Sequence, residues 1–122
     1  MSRIDDIFST LRAENKRALM PFVVGGYPGL DVTEMVIAGL DGAGAAMAEI
    51  GFPFSDPIAD GPVIAAAMHE TLENGTTIDT LLATIERVRP RTEAGLIAMV
   101  SESIVHRRGG GTFIEQLASV GF

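Results

Sequence analysis

Three short apolar runs alternate with helix-like segments along this chain, and that order restricts its fold more than any other sequence feature. The predicted strands lie near residues 19–24, 46–50 and 96–100. Strands that alternate with helices indicate a parallel sheet joined by right-handed crossovers. We therefore predict an α/β fold with three parallel strands in the order 1-2-3 and with the helices on one face.

Apolar residues at helical spacing predict the helices around the first two strands. An N-terminal helix is predicted with Ser2 as its N-cap. Its apolar stripe consists of Ile4, Ile7, Phe8 and Leu11. A second helix is predicted to begin at Asp31, which would form a capping box with Glu34. Its predicted buried stripe consists of Met35, Val36 and Leu40.

Three more helices are predicted later in the chain. One runs from Pro62 to about Glu73, and the next begins after Thr77 and ends before Pro90. The last begins at residue 112 with a second capping-box pattern, Thr112 with Glu115.

The number of βα units sets the expected size of the fold. A parallel (β/α)8 barrel of the TIM type takes ~250 residues. Three βα units and an N-terminal helix in 122 residues therefore predict about half of such a barrel. We expect one partial domain over residues 1–122, with the C-terminal half absent. A small open doubly wound sheet is the alternative architecture.

Composition excludes several functional classes. The formal net charge of −7 argues against nucleic acid and anionic membrane as partners, because both require clustered positive charge. The chain has no cysteine, which removes disulfides, thiol nucleophiles and thiolate metal sites. It shows neither a signal-peptide pattern nor a run approaching the ~20 apolar residues of a membrane span. We expect a soluble cytoplasmic protein.

The stretch from residue 49 to 62 carries the most chemical information. Glu49 lies at the carboxyl end of an otherwise apolar strand, where parallel α/β folds build their active sites. Apolar neighbours there would strip water from the carboxylate and favour its protonated form, which suits general acid–base catalysis. Asp60 lies in the more polar loop and is expected to stay ionised. Such a pair indicates one proton carrier and one fixed negative charge.

Each carboxylate also has a purely structural interpretation. Glu49 could be a solvated or ion-paired residue, and Asp60 could be a turn or capping residue. The composition of residues 49–62 favours function, because three prolines, two glycines and three acids surround two phenylalanines. Prolines stiffen a loop, and a stiff loop with exposed apolar groups is typical of a binding surface.

Two other features are weaker candidates. The segment at residues 107–111, Arg-Arg-Gly-Gly-Gly, could hold a phosphate through guanidinium groups and backbone amides. The alternative is a mobile loop with solvated arginines. Neither His69 nor His106 has a second metal ligand nearby in the sequence, so no metal site is expected.

At residues 49–62 the sequence, Glu-Ile-Gly-Phe-Pro-Phe-Ser-Asp-Pro-Ile-Ala-Asp-Gly-Pro, resembles the signature of the tryptophan synthase α subunit family. Residues 21–23 and 28–29 also match that family's first strand and turn. The resemblance runs over essentially the whole chain but covers only about the first half of the family's length. It implies a (β/α)8 barrel that cleaves indole-3-glycerol phosphate to indole and glyceraldehyde 3-phosphate without a cofactor.

The resemblance also implies roles for individual residues. Glu49 would protonate the indole ring carbon that bears the side chain, and Asp60 would stabilise positive charge on the ring N–H. Three residues match the indole pocket: Phe22, Ile64 and Met99. Four match the loop that meets the β subunit, which receives the indole within a heterotetramer: Pro53, Phe54, Ser55 and Asp56.

Two residues depart from the family pattern. Ala46 stands where an Asp is usual, and Glu102 stands where an aromatic side chain is expected. The family holds the substrate phosphate late in the barrel, so we expect these 122 residues alone to be inactive. One alternative is a non-catalytic half-barrel that only binds a β-subunit-like partner. Another is a different phosphate-handling barrel that shares only the fold, which the signature loop disfavours.

Overall fold

The computed structural model describes residues 2–122, which form a three-stranded sheet surrounded by helices. The strands are β1 (Phe22–Val24), β2 (Met47–Gly51) and β3 (Gly95–Met99). The α-helices are α1 (Arg3–Ala13), α2 (Leu30–Gly39), α3 (Pro62–Glu73), α4 (Ile78–Val88), α5 (Glu102–Arg107) and α6 (Gly111–Val120). All pairing is parallel, in the order β1-β2-β3, which confirms the predicted sheet.

The first strand is shorter than predicted. It begins at Phe22 rather than at residue 19, because Pro21 has no N–H and Leu19 and Met20 are exposed. The carbonyl of Pro21 still accepts a hydrogen bond from the Glu49 amide at 2.9 Å. The other two strands lie within one residue of their predicted bounds.

Alternate side chains of each strand point to opposite faces of the sheet. On the face that we call outer, Val23, Ile50 and Leu96 pack against α2, α4 and α6 in the main core. The helical side chains with no measurable exposure in this core are Ile37, Leu81, Ile85 and Val88. Burial of each contributes about 1.5–3 kcal/mol, so α2 and α4 hold the sheet from one side. Phe113 and Leu117 of α6 are buried in the same core.

The opposite face, which we call inner, is covered by two further helices. Ala67 and Met68 of α3 pack with Val24 at the carboxyl end. At the amino end, Ile4 and Ile7 of α1 lie beside Gly95, where a Cβ atom would be 2.5 Å from Ile4. The prediction that all helices lie on one face is therefore wrong. Glycine at position 95 leaves the room that the α1 side chains occupy.

Two of the predicted helix N-caps are confirmed. The Ser2 hydroxyl accepts from the Asp5 amide at 3.3 Å, and the Asp5 carboxylate accepts from the Ser2 amide at 2.8 Å. Thr77 caps α4 in the same reciprocal way with Thr80. Helix α3 also has its predicted bounds.

The capping boxes predicted for α2 and α6 are wrong. These helices begin after Gly29 and Gly110, so Asp31 and Thr112 lie inside the first turn. The Glu34 carboxylate instead accepts hydrogen bonds from Arg87 of α4 and from Arg91. 

The buried stripe predicted for α2 is also wrong except at Leu40. The stripe consists of Thr33, Ile37 and Leu40, whereas Met35 is 71% and Val36 39% exposed. Helix α2 carries apolar side chains on two sides, and only one of them meets the core. Among residues 2–122, no helix is long and apolar enough to span a membrane.

Candidate active site

Glu49 lies in the middle of a row of three residues across the inner face. The parallel register pairs Phe22 of β1 with Glu49 of β2, and Glu49 with Ile97 of β3. The Glu49 side chain is half-buried between these apolar neighbours. The row lies two residues before β2 ends, near the carboxyl ends of the strands, where parallel folds place their active sites.

Phe22 links Glu49 to the small apolar cluster under α3. Ile64 and Met68 pack there with Phe22 and Val24. Gly51 is required at this point, because a Cβ atom would lie 2.5 Å from the Phe22 ring. The structure therefore places Phe22 and Ile64, two of the predicted indole-pocket residues, in one cluster, and Phe22 of that cluster lies beside Glu49.

Met99, the third predicted pocket residue, lies on the other side of β2. It pairs with Gly51 one row beyond Glu49 and is 43% exposed. Its side chain therefore borders the same inner face as Glu49 but does not join the cluster under α3.

The loop after β2 is anchored at its start. Phe52 is 1% exposed, its amide donates to the Met99 carbonyl at 2.8 Å, and its ring meets Phe113 edge-on at 6.3 Å. Pro53 is buried, Phe54 is half-buried, and the next two residues are exposed. The Ser55 hydroxyl donates to Asp56 at 2.9 Å. The predicted partner loop thus has a rigid base and an accessible middle.

Asp60 lies near the end of this loop, just before α3. Its amide donates to the Pro57 carbonyl at 3.1 Å, which is a turn contact. The ion pairs within residues 2–122 involve neither Asp60 nor Glu49. Asp60 borders a cavity of about 420 Å³ together with Ser101, the N-cap residue of α5. Both carboxylates therefore lie at the same end of the sheet, and neither forms an ion pair within residues 2–122.

In the glycine-rich segment at residues 107–111, one of the two arginines is half-buried and paired within the fold. Arg108 forms an ion pair with Asp79, and its guanidinium lies 5.5 Å from the centre of the Phe113 ring. Its positive charge is therefore neutralised by a carboxylate of the same fold, which argues against a phosphate-binding role for Arg108. Arg107 is exposed.

No metal site is found in the part of the chain that the structure describes. His69 lies on the exposed face of α3, 3.3 Å from the Glu73 carboxylate. No group of three histidine, aspartate or glutamate side chains among residues 2–122 could hold a metal ion.

The two departures from the family pattern lie at opposite ends of the sheet. Ala46 precedes β2 and borders a cavity of about 530 Å³ beside α1. Glu102 is the first residue of α5, after β3, and its side chain is exposed. Only Glu102 therefore lies at the same end as Glu49.

Two neighbours of the candidate site were missed by sequence reasoning. Ile97 flanks Glu49 through strand register, for which a single sequence gives no signal. Met68 does have a signal, because it lies four residues after Ile64 on α3 and so faces the same way.

Comparison with known proteins identifies close relatives. Residues 8–122 match the family model described as tryptophan synthase alpha chain. The tryptophan synthase alpha chain of Synechococcus elongatus is 39% identical over 99% of this chain and 46% of its own length. That of Clostridium kluyveri is 37% identical with the same coverage.

Solved structures give the same result for the fold. The alpha subunit from Legionella pneumophila superposes with a TM-score of 0.94 at 33% identity, covering 99% of this chain and 47% of that one. A tryptophan synthase structure from M. tuberculosis matches with a TM-score of 0.90 at 31% identity, covering 100% and 50%.

The chain spans about half the length of the curated relatives and solved structures that it matches. Its three parallel strands and their helices correspond to part of the TIM barrels of those alpha subunits, which confirms the predicted fold class. The family model covers most of the chain, and the sequence relatives extend the match to nearly all of it. This chain therefore belongs to the tryptophan synthase alpha chain family.

Proposed function

We propose that this chain supplies the catalytic carboxylates of a cytoplasmic lyase that cleaves indole-3-glycerol phosphate to indole and glyceraldehyde 3-phosphate. The observation that carries the proposal is the placement of Glu49 between Phe22 and Ile97 near the carboxyl end of the sheet. Membership of a lyase family of tryptophan biosynthesis supports the same reaction. The proposed chemistry uses acid–base groups of the protein and no cofactor.

In the proposed reaction Glu49 acts as the proton donor. In its protonated form it can deliver a proton to the ring carbon that bears the glycerol side chain. The Asp60 carboxylate stabilises the positive charge that develops on the ring N–H. The Glu49 carboxylate, which has given up its proton, then accepts the proton of the adjacent side-chain hydroxyl, and the carbon–carbon bond breaks as the hydroxyl carbon becomes the aldehyde. The products are indole and the aldehyde.

The apolar residues around Glu49 would form the wall for the indole ring. Phe22 and Ile64 pack together on one side of β2, and Met99 borders the other side. A flat aromatic substrate suits such a wall, because burial of apolar surface supplies its binding energy. Groups that hold the phosphate would come from the other half of the barrel, so activity is expected only in a full-length version of the protein.

The loop of Pro53, Phe54, Ser55 and Asp56 would meet a tryptophan synthase β subunit within a heterotetramer. Its rigid base and exposed middle support this role. A half-barrel that binds this partner without catalysis is the second candidate. It is favoured by the exposure of Ser55 and Asp56 in that loop, which binding alone would use.

The test replaces Glu49 with glutamine in a full-length version of the protein. Glu49→Gln keeps the side-chain shape but removes the proton, so kcat for indole release should fall on the order of 10²–10⁴-fold. KM should change little. Glu70→Gln, on the exposed face of α3, is the control and should leave kcat unchanged.

Retention of a tenth or more of wild-type kcat by the Glu49→Gln enzyme would rule out Glu49 as the proton donor. Binding of the β subunit by a wild-type protein that releases no indole would favour the non-catalytic candidate.

A further inference from the structure

Arg89, the residue that follows α4, carries a buried guanidinium group without a partner among residues 2–122. Its terminal nitrogens Nη1 and Nη2 are both buried, and neither has a hydrogen-bond acceptor in that part of the chain. The ion pairs within the same residues do not involve Arg89. A buried charged donor without an acceptor is costly, and neither the fold nor the proposed reaction explains this one.

Packing against Gly121 fixes the arginine side chain. A Cβ atom at position 121 would lie 2.5 Å from Cγ and Cδ of Arg89. Gly121 also has a φ of 104°, in the left-handed region that other residues rarely adopt. The guanidinium is therefore positioned by contact of its aliphatic stem with a glycine, and not by an acceptor that it binds.

Arg89 borders a cavity at the amino end of the sheet, beside the first two residues of β3. The cavity has a volume of about 440 Å³, within the ~300–1,000 Å³ that is typical of small-molecule sites. Two polar and two apolar residues also line it: Ser2, Arg3, Ile4 and Phe122. The two carboxylates of the candidate active site lie at the opposite end of the sheet, so this cavity is separate from that site.

The charges around the cavity favour an anion. Burial lowers the pKa of Arg89, and the positive charge of Arg3 lowers it further. The carboxylates of Glu93 and Asp41 act in the opposite direction, but both have other partners. Glu93 pairs with Arg3 at 3.0 Å, and Asp41 accepts hydrogen bonds from residues 92–94. An arginine still stays protonated at physiological pH, so an oxyanion in the cavity would supply the missing acceptor.

The guanidinium and the apolar lining together define the class of ligand. The planar fork of an arginine donates two parallel hydrogen bonds to a carboxylate. Apolar side chains beside it suit an attached carbon chain better than a bare inorganic anion. We propose that this cavity is a carboxylate-binding site, in which Arg89 holds the carboxylate and Ile4 and Phe122 contact the carbon chain.

The carboxylate has two possible sources. One is a free organic acid. The other is an acidic side chain of the segment that follows Phe122 in a full-length version of the protein. Phe122 borders the cavity, and β3 beside it has one edge that no strand among residues 2–122 covers. The inference is independent of the proposed reaction, which uses the other end of the sheet.

The test measures butyrate binding to the 122-residue chain by ligand-observed saturation-transfer NMR, with 1-butanol as the uncharged probe. Arg89→Met removes the guanidinium and keeps an unbranched stem beside Gly121. Arg12→Met makes the same change at an exposed residue of α1 that does not border the cavity. Far-UV circular dichroism of each variant checks that the fold is retained.

Wild type should bind butyrate about tenfold or more tightly than 1-butanol, because only butyrate accepts charge-assisted hydrogen bonds. Arg89→Met should weaken butyrate binding by about tenfold or more and leave 1-butanol binding within about twofold, since it removes only those bonds. Arg12→Met should behave as wild type. No butyrate binding by wild type, or equal binding by wild type and Arg89→Met, would overturn the proposal.

A full-length version of the protein distinguishes the two sources. Undiminished butyrate binding there would identify a free carboxylate as the ligand. Loss of butyrate binding, with a lower urea midpoint for Arg89→Met than for wild type, would identify the segment after Phe122, because removal of one member of a buried ion pair is destabilising. Loss of butyrate binding with an equal or higher midpoint for Arg89→Met would show that the guanidinium has no carboxylate partner and would overturn the proposal.

Discussion

Gly51 holds the position of a neighbouring side chain in the candidate site. A Cβ atom there would lie 2.5 Å from the Phe22 ring and 3.5 Å from Met68. Phe22 in turn pairs with Glu49 across β1 and β2. The missing side chain at position 51 therefore allows the Phe22 ring to lie between the strands and α3, where it shields one side of the carboxylate.

Gly51→Ala should displace the Phe22 ring and destabilise the protein by about 1–3 kcal/mol, the usual cost of overpacking. Gly39→Ala is the control, because no atom lies within 4 Å of its added Cβ and alanine is the better helix former. Urea unfolding of both variants measures the difference. Equal midpoints would show that the Phe22 ring moves aside at no cost.

At the scale of elements, Asp41 joins the turn after α2 to the segment before β3. Its carboxylate accepts from the Glu93 amide at 2.8 Å, the Thr92 hydroxyl at 2.9 Å and the Ala94 amide at 3.1 Å. These hydrogen bonds, led by that from the Glu93 amide, lower the pKa of Asp41 below its ordinary value of 3.8. The ionised carboxylate thus links the turn after α2 to the segment before β3 through three hydrogen bonds.

This contact predicts a specific pH dependence of stability. Because the folded pKa of Asp41 is lower than the unfolded one, its contribution is present above the unfolded value and is lost as pH falls through the folded value. Asp41→Asn should lower the free energy of unfolding at pH 7 and flatten its decline below pH 4. Urea unfolding from pH 7 to pH 2 measures this. Glu86→Gln, exposed on α4, should follow wild type, and a matching curve for Asp41→Asn would contradict the role of the contact.

Local signals predicted most of the elements, and contacts between distant residues explain most of the errors. The Thr77 cap uses a residue only three positions away, so the sequence could predict it. The Asp31 capping box failed because Glu34 binds Arg87, 53 positions later in the chain. In the candidate site, the position of Glu49 at a strand end was predictable. The presence of Ile97 beside Glu49 could not be predicted, because the register of β2 and β3 depends on how the whole strands pack.

At the scale of the molecule, the sheet has two edges that no strand among residues 2–122 covers. The order β1-β2-β3 leaves β1 and β3 each paired on one side only. Apolar side chains are exposed around these edges, including Leu19 at 64% and Met99 at 43%. Unpaired strand edges beside apolar surface promote pairing with another chain.

The 122-residue chain, purified alone, should therefore self-associate at micromolar concentration. Two copies supply six strands in all, two fewer than an eight-stranded barrel closes with, so pairing of two chains would still leave free edges. We expect sedimentation velocity to show a concentration-dependent mixture of dimers and larger species. Met99→Lys should shift this mixture toward monomer, because it places a charge beside the β3 edge. Ile58→Lys makes the same change on a loop residue that is 96% exposed and should have no effect. A single sharp monomer boundary for wild type, with cooperative thermal unfolding, would show that this sheet is stable with both edges open.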